Sequence, residues 1–206
     1  MSRSLLPSST VVSRGKTKGE LSTTKPSWTF AASLLLGENF VWRQAWDLLQ
    51  VARYLTSSGE FDRVAVYARG HNACLAATYL VAQVESLRPF RLDWFVLRDG
   101  FVSFRQFLDR PKSLPASFVL YADDSKAAFD REIPPLYFPF KALRSFDLTQ
   151  LLAGSAAKGV IVNPINGDWE RMDASSARKL CPPNVCVISD PAPDGAIRGA
   201  LSNILS

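Results

Sequence analysis

Apolar positions change their spacing several times along this chain, and each change marks a new element. Val41, Ala45, Leu48, Ala52 and Leu55 recur at helical intervals, with Leu49 widening the stripe, so residues 39–56 are expected to form an amphipathic helix that packs on a flat surface. Ser57-Ser58-Gly59 ends it. Arg63 to Ala68 follows as a continuous apolar run of the kind found in a central parallel strand, buried on both faces and flanked on both edges. Gly70 then opens a helix expected to continue through Ala82, and Leu92 to Leu97 reads as the next strand. Further on, Phe146 to Leu152 reads as a helix, Gly159 to Asn163 as a strand, Ala174 to Leu180 as a short helix, Val185 to Ser189 as a fourth strand and Asp194 to Leu205 as a last helix.

Strands that alternate with helices demand right-handed crossovers and helices on both faces of a sheet. The expected fold class is therefore three-layer α/β/α with a mostly parallel sheet. Between Phe101 and Phe140 the prolines at 111, 115, 134, 135 and 139 break any period, which suits an excursion over the surface. No internal repeat is present, so solenoids and propellers are excluded. Residues 1–26 are rich in Ser, Thr, Lys and Pro and are expected to be a disordered basic tail, leaving 27–206 as the folded domain.

Charge changes the picture little. The net charge is +5, but residues 1–30 carry Arg3, Arg14, Lys16, Lys18 and Lys25 against Glu20 alone, so five cations less one anion place +4 of it in the tail. The body is nearly neutral, which argues against a nucleic-acid-binding face. Three cysteines with no C-x-x-C spacing and a single histidine do not form the ligand pattern of a zinc site, and no cofactor is expected. Cys74 lies in a helix and Cys186 in a strand, where a thiol is expected to be buried as a small hydrophobe; a Cys181–Cys186 disulfide is left open. Trp28 to Leu36 is too short to span a bilayer and is followed by Glu38-Asn39-Phe40, a poor cleavage site, so it is read as part of the fold; no membrane partner is expected, export is left open and the cytoplasm is the default.

The chemistry turns on Val64 to Ala73, a strand that runs sharply into a small-residue helix. A serine hydrolase with a nucleophile elbow carries G-x-S-x-G at such a turn; here the stretch is Ala68-Arg69-Gly70-His71-Asn72, and Gly70 stands where the serine belongs. Together with Leu35-Leu36-Gly37-Glu38-Asn39 running into Trp46-Asp47-Leu48-Leu49, and with Val162-Asn163-Pro164-Ile165-Asn166, this stretch resembles the C-terminal half of bacterial α/β-hydrolases of the acetyl-xylan-esterase-like or dienelactone-hydrolase-like type. The resemblance covers residues 34–190. It implies a nucleophile position at Gly70, an acid position at Asn166 and a histidine position beyond Ser189, where Asp190-Pro191-Ala192-Pro193-Asp194 holds none. All three triad positions are vacant. Asp99, just after its strand, matches the alternative acid position of some hydrolases, but an acid with no histidine to orient has no triad role.

The expectation is thus a degenerate, catalytically inactive α/β-hydrolase homologue or a fragment of one, since the strands that normally precede the elbow are missing from the roughly 60 residues before it. One alternative is an active ester hydrolase on acetylated carbohydrates that draws its nucleophile from Ser103 or Ser189 and its base from His71. Another is a small protein-interaction domain with an open aromatic face, self-associating or covered by a partner along the uncovered sheet edge. His71 itself reads as a capping or exposed residue whose pKa the helix dipole lowers. The acidic groups Asp123/Asp124 and Asp168/Glu170/Asp173 read as solvated loop carboxylates, and Trp94, Trp169 and Met172 as packing.

Overall fold

In the computed structural model the chain builds a four-stranded sheet whose strands all run parallel and stand side by side in sequence order. The structure describes residues 39–59, 64–87, 90–106, 142–168, 170–189, 195 and 197–199. The expected basic tail, Asp123, Asp124, Trp169 and the stretch 190–194 lie outside the described residues. The elements run α1 (Phe40–Ser57), β1 (Val64–Arg69), α2 (His71–Leu87), β2 (Leu92–Arg98), α3 (Ala142–Ser145), α4 (Leu148–Ala153), β3 (Lys158–Val162), α5 (Ala174–Leu180) and β4 (Val185–Ile188).

Side-chain alternation along the strands separates two cores. Ala68, Phe95, Leu97, Ile161, Val185 and Val187 face the larger one, which they share with Leu75 and Leu80 of α2, Val41 and Leu49 of α1, Leu148 and Leu152 of α4 and Ala177 of α5. The alternate residues Val96, Val160 and Val162 form a smaller core with Trp94, Ile188 and Ile197, the last within the helical residues 197–199. Helical residues thus lie on both faces, which makes three layers. Each crossover steps in one direction along the sheet, so right-handedness puts α2, α4 and α5 on the same face. One extra residue in β2 (Val64 pairs with Leu92 but Ala65 with Trp94) is a bulge that turns both Leu92 and Phe95 toward the larger core.

α1 starts where Asn39 accepts a 3.0 Å hydrogen bond from the Trp42 amide, which satisfies one of the amides that a helix start leaves orphaned. Its stripe buries Val41, Ala45 and Leu49 completely against α2 and the rest of the larger core. Burial of Leu49 alone is worth about 2 kcal/mol. α2 outruns its expected end at Ala82 and reaches Leu87, because it is buried nearly all round and its apolar residues show no one-sided stripe to count.

Three expectations need correction, and one question left open is answered. β1 is not a central strand among the described residues: it pairs with β2 alone, and its residues alternate between the larger core and solvent, with Tyr67 47% exposed. The helix expected over 146–152 starts two residues later, at Leu148, because Asp147 caps it, and the separate short helix α3 ends before it. Cys186 is exposed, because in β4 Val185 and Val187 take the inward positions and leave the residue between them pointing out. Cys181 and Cys186 are both free thiols, so no disulfide joins them.

Candidate functional site

The carboxyl ends of β1, β2 and β3 finish in the same way. Gly70, Asp99 and Asn163, the residues that follow the three strands, all take positive φ, at 86°, 56° and 49°. Each donates its backbone N–H to the last residue of the neighbouring strand: Gly70 to Arg98 at 2.8 Å, Asp99 to Val162 at 2.9 Å and Asn163 to Ile188 at 2.8 Å. The ladder is extended by one rung and every strand then turns off sharply. In open α/β sheets ligands bind outside the carboxyl ends where the strand order reverses, and the order β1-β2-β3-β4 has no such reversal among the described strands.

At β1 the turn is an elbow. Gly70 separates the strand from α2 with no intervening loop, and its carbonyl accepts the first helical hydrogen bond, from Cys74 at 2.9 Å. A positive φ strains any L side chain, and glycine alone takes it freely. A Cβ on Gly70 meets nothing within 4 Å, so the space where a side chain would stand is open. Below the elbow Cys74 packs onto Gly100, where an added Cβ would lie 2.5 Å from the Cys74 Cβ. The Cys74 thiol contacts the Arg98 carbonyl at 3.3 Å, and burial pushes its pKa up to about 12, so it stays protonated and unreactive.

His71, the first residue of α2, is half-buried with its ring 5.8 Å from that of Phe101. Burial lowers its pKa; the expected direction is right, but desolvation is the cause. Asp99 sits between two arginines, 3.4 Å from Arg69 Nε and 3.6 Å from Arg98 Nε. Arg69 and Arg98 are register partners on adjacent strands, which is what lets one carboxylate serve both. Phe101 bridges to Ile165, and the Ile165 amide donates to the Gly100 carbonyl at 2.9 Å. The structure therefore brings Gly70, His71, Asp99 and the 163–166 turn to one edge.

Asn166 serves its own loop. Its side-chain oxygen accepts from the amides of Asp168 at 2.8 Å and Glu170 at 3.0 Å, both within four residues of it. Asp173 caps α5, and hydrogen bonds from Ser176 and Ser175 hold its carboxyl well below the usual carboxylate range. Among the described residues no three His, Cys, Asp or Glu side chains are grouped to hold a metal ion. No described helix is long and apolar enough to cross a membrane.

The two candidate serines have structural partners. Ser103 is buried and donates its hydroxyl to the Asp147 carboxylate, whose other oxygen accepts from the amides of Phe104 and Leu148, both at 2.7 Å. Ser189 donates to the Met172 carbonyl at 3.0 Å. Met172 and Trp94 pack against the two cores, as expected. The Ser103–Asp147 clamp and the Arg69–Asp99–Arg98 cluster are what sequence reasoning missed. Asp147 had a readable signal, because Gln150 three residues on completes a capping box, its side chain accepting from the Asp147 amide at 2.7 Å.

A surface depression of about 370 Å³, lined by Lys158, Gly159, Pro183, Asn184, Val185 and Cys186, lies around the opposite, amino-terminal ends of β3 and β4. It shares no residue with the carboxyl edge. Comparison of the chain with family models, with curated proteins and with solved structures gives no match.

Proposed function

We propose that this chain is a non-catalytic α/β-hydrolase-like domain, with the backbone of a nucleophile elbow and no nucleophile on it. One observation carries the reading: the residue held at positive φ between β1 and α2 is Gly70. A sharp, strained strand-to-helix turn is the geometry that lifts a serine oxygen clear of a hydrolase sheet. Glycine has no side-chain atom to attack a carbonyl carbon, and no neighbouring base can supply one. The surrounding groups fit the same reading. Asn166 spends its side-chain oxygen on the amides of Asp168 and Glu170, Asp99 is held by two arginines, and the hydroxyls of Ser103 and Ser189 are given to Asp147 and Met172.

The test is hydrolysis of short-chain aryl acetates by the purified chain. The expected rate equals that of a heat-denatured sample, and a rate well above it that His71→Ala abolishes would refute the proposal in favour of a working esterase.

A second reading, a role in protein interaction, draws on the exposed aromatics. Trp42 and Trp46 stand one turn apart on α1 at 48% and 42% exposure, with Tyr54 further along and Tyr67 on β1. Large exposed aromatics of this kind are favoured at interfaces. Sedimentation velocity of the wild type against a Trp42→Glu/Trp46→Glu variant tests it for self-association: a wild-type assembly that the double variant dissolves supports the reading, and a monomer at every concentration removes it.

A further inference from the structure

α2 carries a polar pair that its packing does not explain. Tyr79 and Gln83 are one helical turn apart and so share a face, and they are only 3% and 2% exposed. Among the described residues, neither the Tyr79 hydroxyl nor either end of the Gln83 amide has a hydrogen-bond partner. The rings that meet Tyr79, Trp42 at 5.9 Å and Phe146 at 6.0 Å, both approach edge to face. Three buried polar atoms left unmatched on one helix face would each weaken the folding equilibrium roughly tenfold, and native interiors rarely leave such groups without protein or ordered water.

We propose that Tyr79 and Gln83 form one internal polar site that holds an ordered water molecule between them. The chemistry selects a small neutral guest. The amide offers two donors and an acceptor and the phenol one of each, a set that a single water can meet from both sides. A buried ion would need a counter-charge, and the nearby Asp147 carboxylate is already engaged by Ser103, Phe104 and Leu148. Burial first, and that carboxylate second, keep the phenol protonated, so it remains a donor.

Oxygen-17 relaxation dispersion on the full chain counts long-lived internal waters directly. The dispersion amplitude of the wild type is expected to fall by at least one water in Tyr79→Phe and in Gln83→Met, and an amplitude unchanged by both substitutions overturns the proposal. Urea unfolding of the same variants gives an independent reading. A shared water makes the two losses overlap, so the double variant is expected to be no less stable than the weaker single one. A Gln83→Met protein whose folding equilibrium improves tenfold would mean that the amide had no partner at all, which also overturns it. Should a variant fail to fold, a nuclear Overhauser effect between water and the Gln83 side-chain amide protons in the wild type decides the matter, and its absence counts against the site.

Discussion

The amide of Gly70 donates a 2.8 Å hydrogen bond to the carbonyl of Arg98, and that bond fixes the elbow residue at φ 86° while it ties β1 to β2. Because the space around a Cβ at position 70 is open, a substitution there costs backbone strain and little else. Gly70→Ala and Gly70→Ser are expected to destabilise the fold equally, by about 1–2 kcal/mol, and Gly70→Asn by less, since asparagine tolerates the left-handed region. Urea midpoints measure this. A Gly70→Ser protein as stable as the wild type would mean that the turn is not strained.

Asp147 joins the loop after β2 to the start of α4 through Ser103, Phe104 and Leu148. Asp147→Ala strips three buried donors of their acceptor and is expected to cost on the order of 2–4 kcal/mol. Ser103→Ala, which leaves one carboxylate oxygen without its hydroxyl, should cost less, about 1–2 kcal/mol. Chemical denaturation of both variants gives the comparison, and the reverse order would show that the clamp is built around the serine.

Stability should fall at both ends of the pH scale. Burial lowers the His71 pKa from 6.5, so the unfolded chain takes up that proton first; the contribution is full above about 6.5 and is lost as the pH falls. The Cys74 thiol is raised from 9.0 to about 12, so the unfolded chain releases its proton first, and stability declines as the pH rises from 9 toward 12. The alkaline slope from Cys74 is at most about 1.4 kcal/mol per pH unit. Urea midpoints taken from pH 5 to 11 should show a plateau between these limits, and Cys74→Ala should lower the plateau while flattening its alkaline side.

Cys186 and Cys74 should separate by reactivity. Cys186 is exposed, whereas Cys74 is buried and its pKa lies far above neutrality. Brief iodoacetamide treatment of the native protein followed by peptide mapping is expected to find Cys186 labelled and Cys74 untouched until denaturant is added. Rapid native labelling of Cys74 would contradict its packing onto Gly100.

Much of the fold was legible because apolar spacing reports burial. The stripe on α1, the apolar runs of β2 and β3 and the short α5 all fall within a few residues of their expected limits. What the pattern misread followed from tertiary context. Val64-Ala65-Val66 reads as doubly buried by composition, but whether a strand is central depends on its neighbours, and β1 has only β2 among the described residues. At Cys186 the letters Val-Cys-Val carry the same apolar signal on both faces, so alternation could not say which side was covered. At the candidate site the sequence located Gly70, His71, Asp99 and Asn166, and the structure brings their segments to one edge. It could not reveal that Arg69 and Arg98 would share Asp99, because that depends on the register of two strands.

The central claim, an elbow without a nucleophile, is tested most directly by a fluorophosphonate probe, which forms a covalent adduct with an activated serine oxygen. Intact-mass analysis of the full chain after prolonged exposure is expected to show no added mass, for the wild type and for Gly70→Ser alike, since a lone hydroxyl without its base is a weak nucleophile. A stoichiometric adduct on Ser103 or Ser189 that disappears in His71→Ala would contradict the account and identify a working hydrolase.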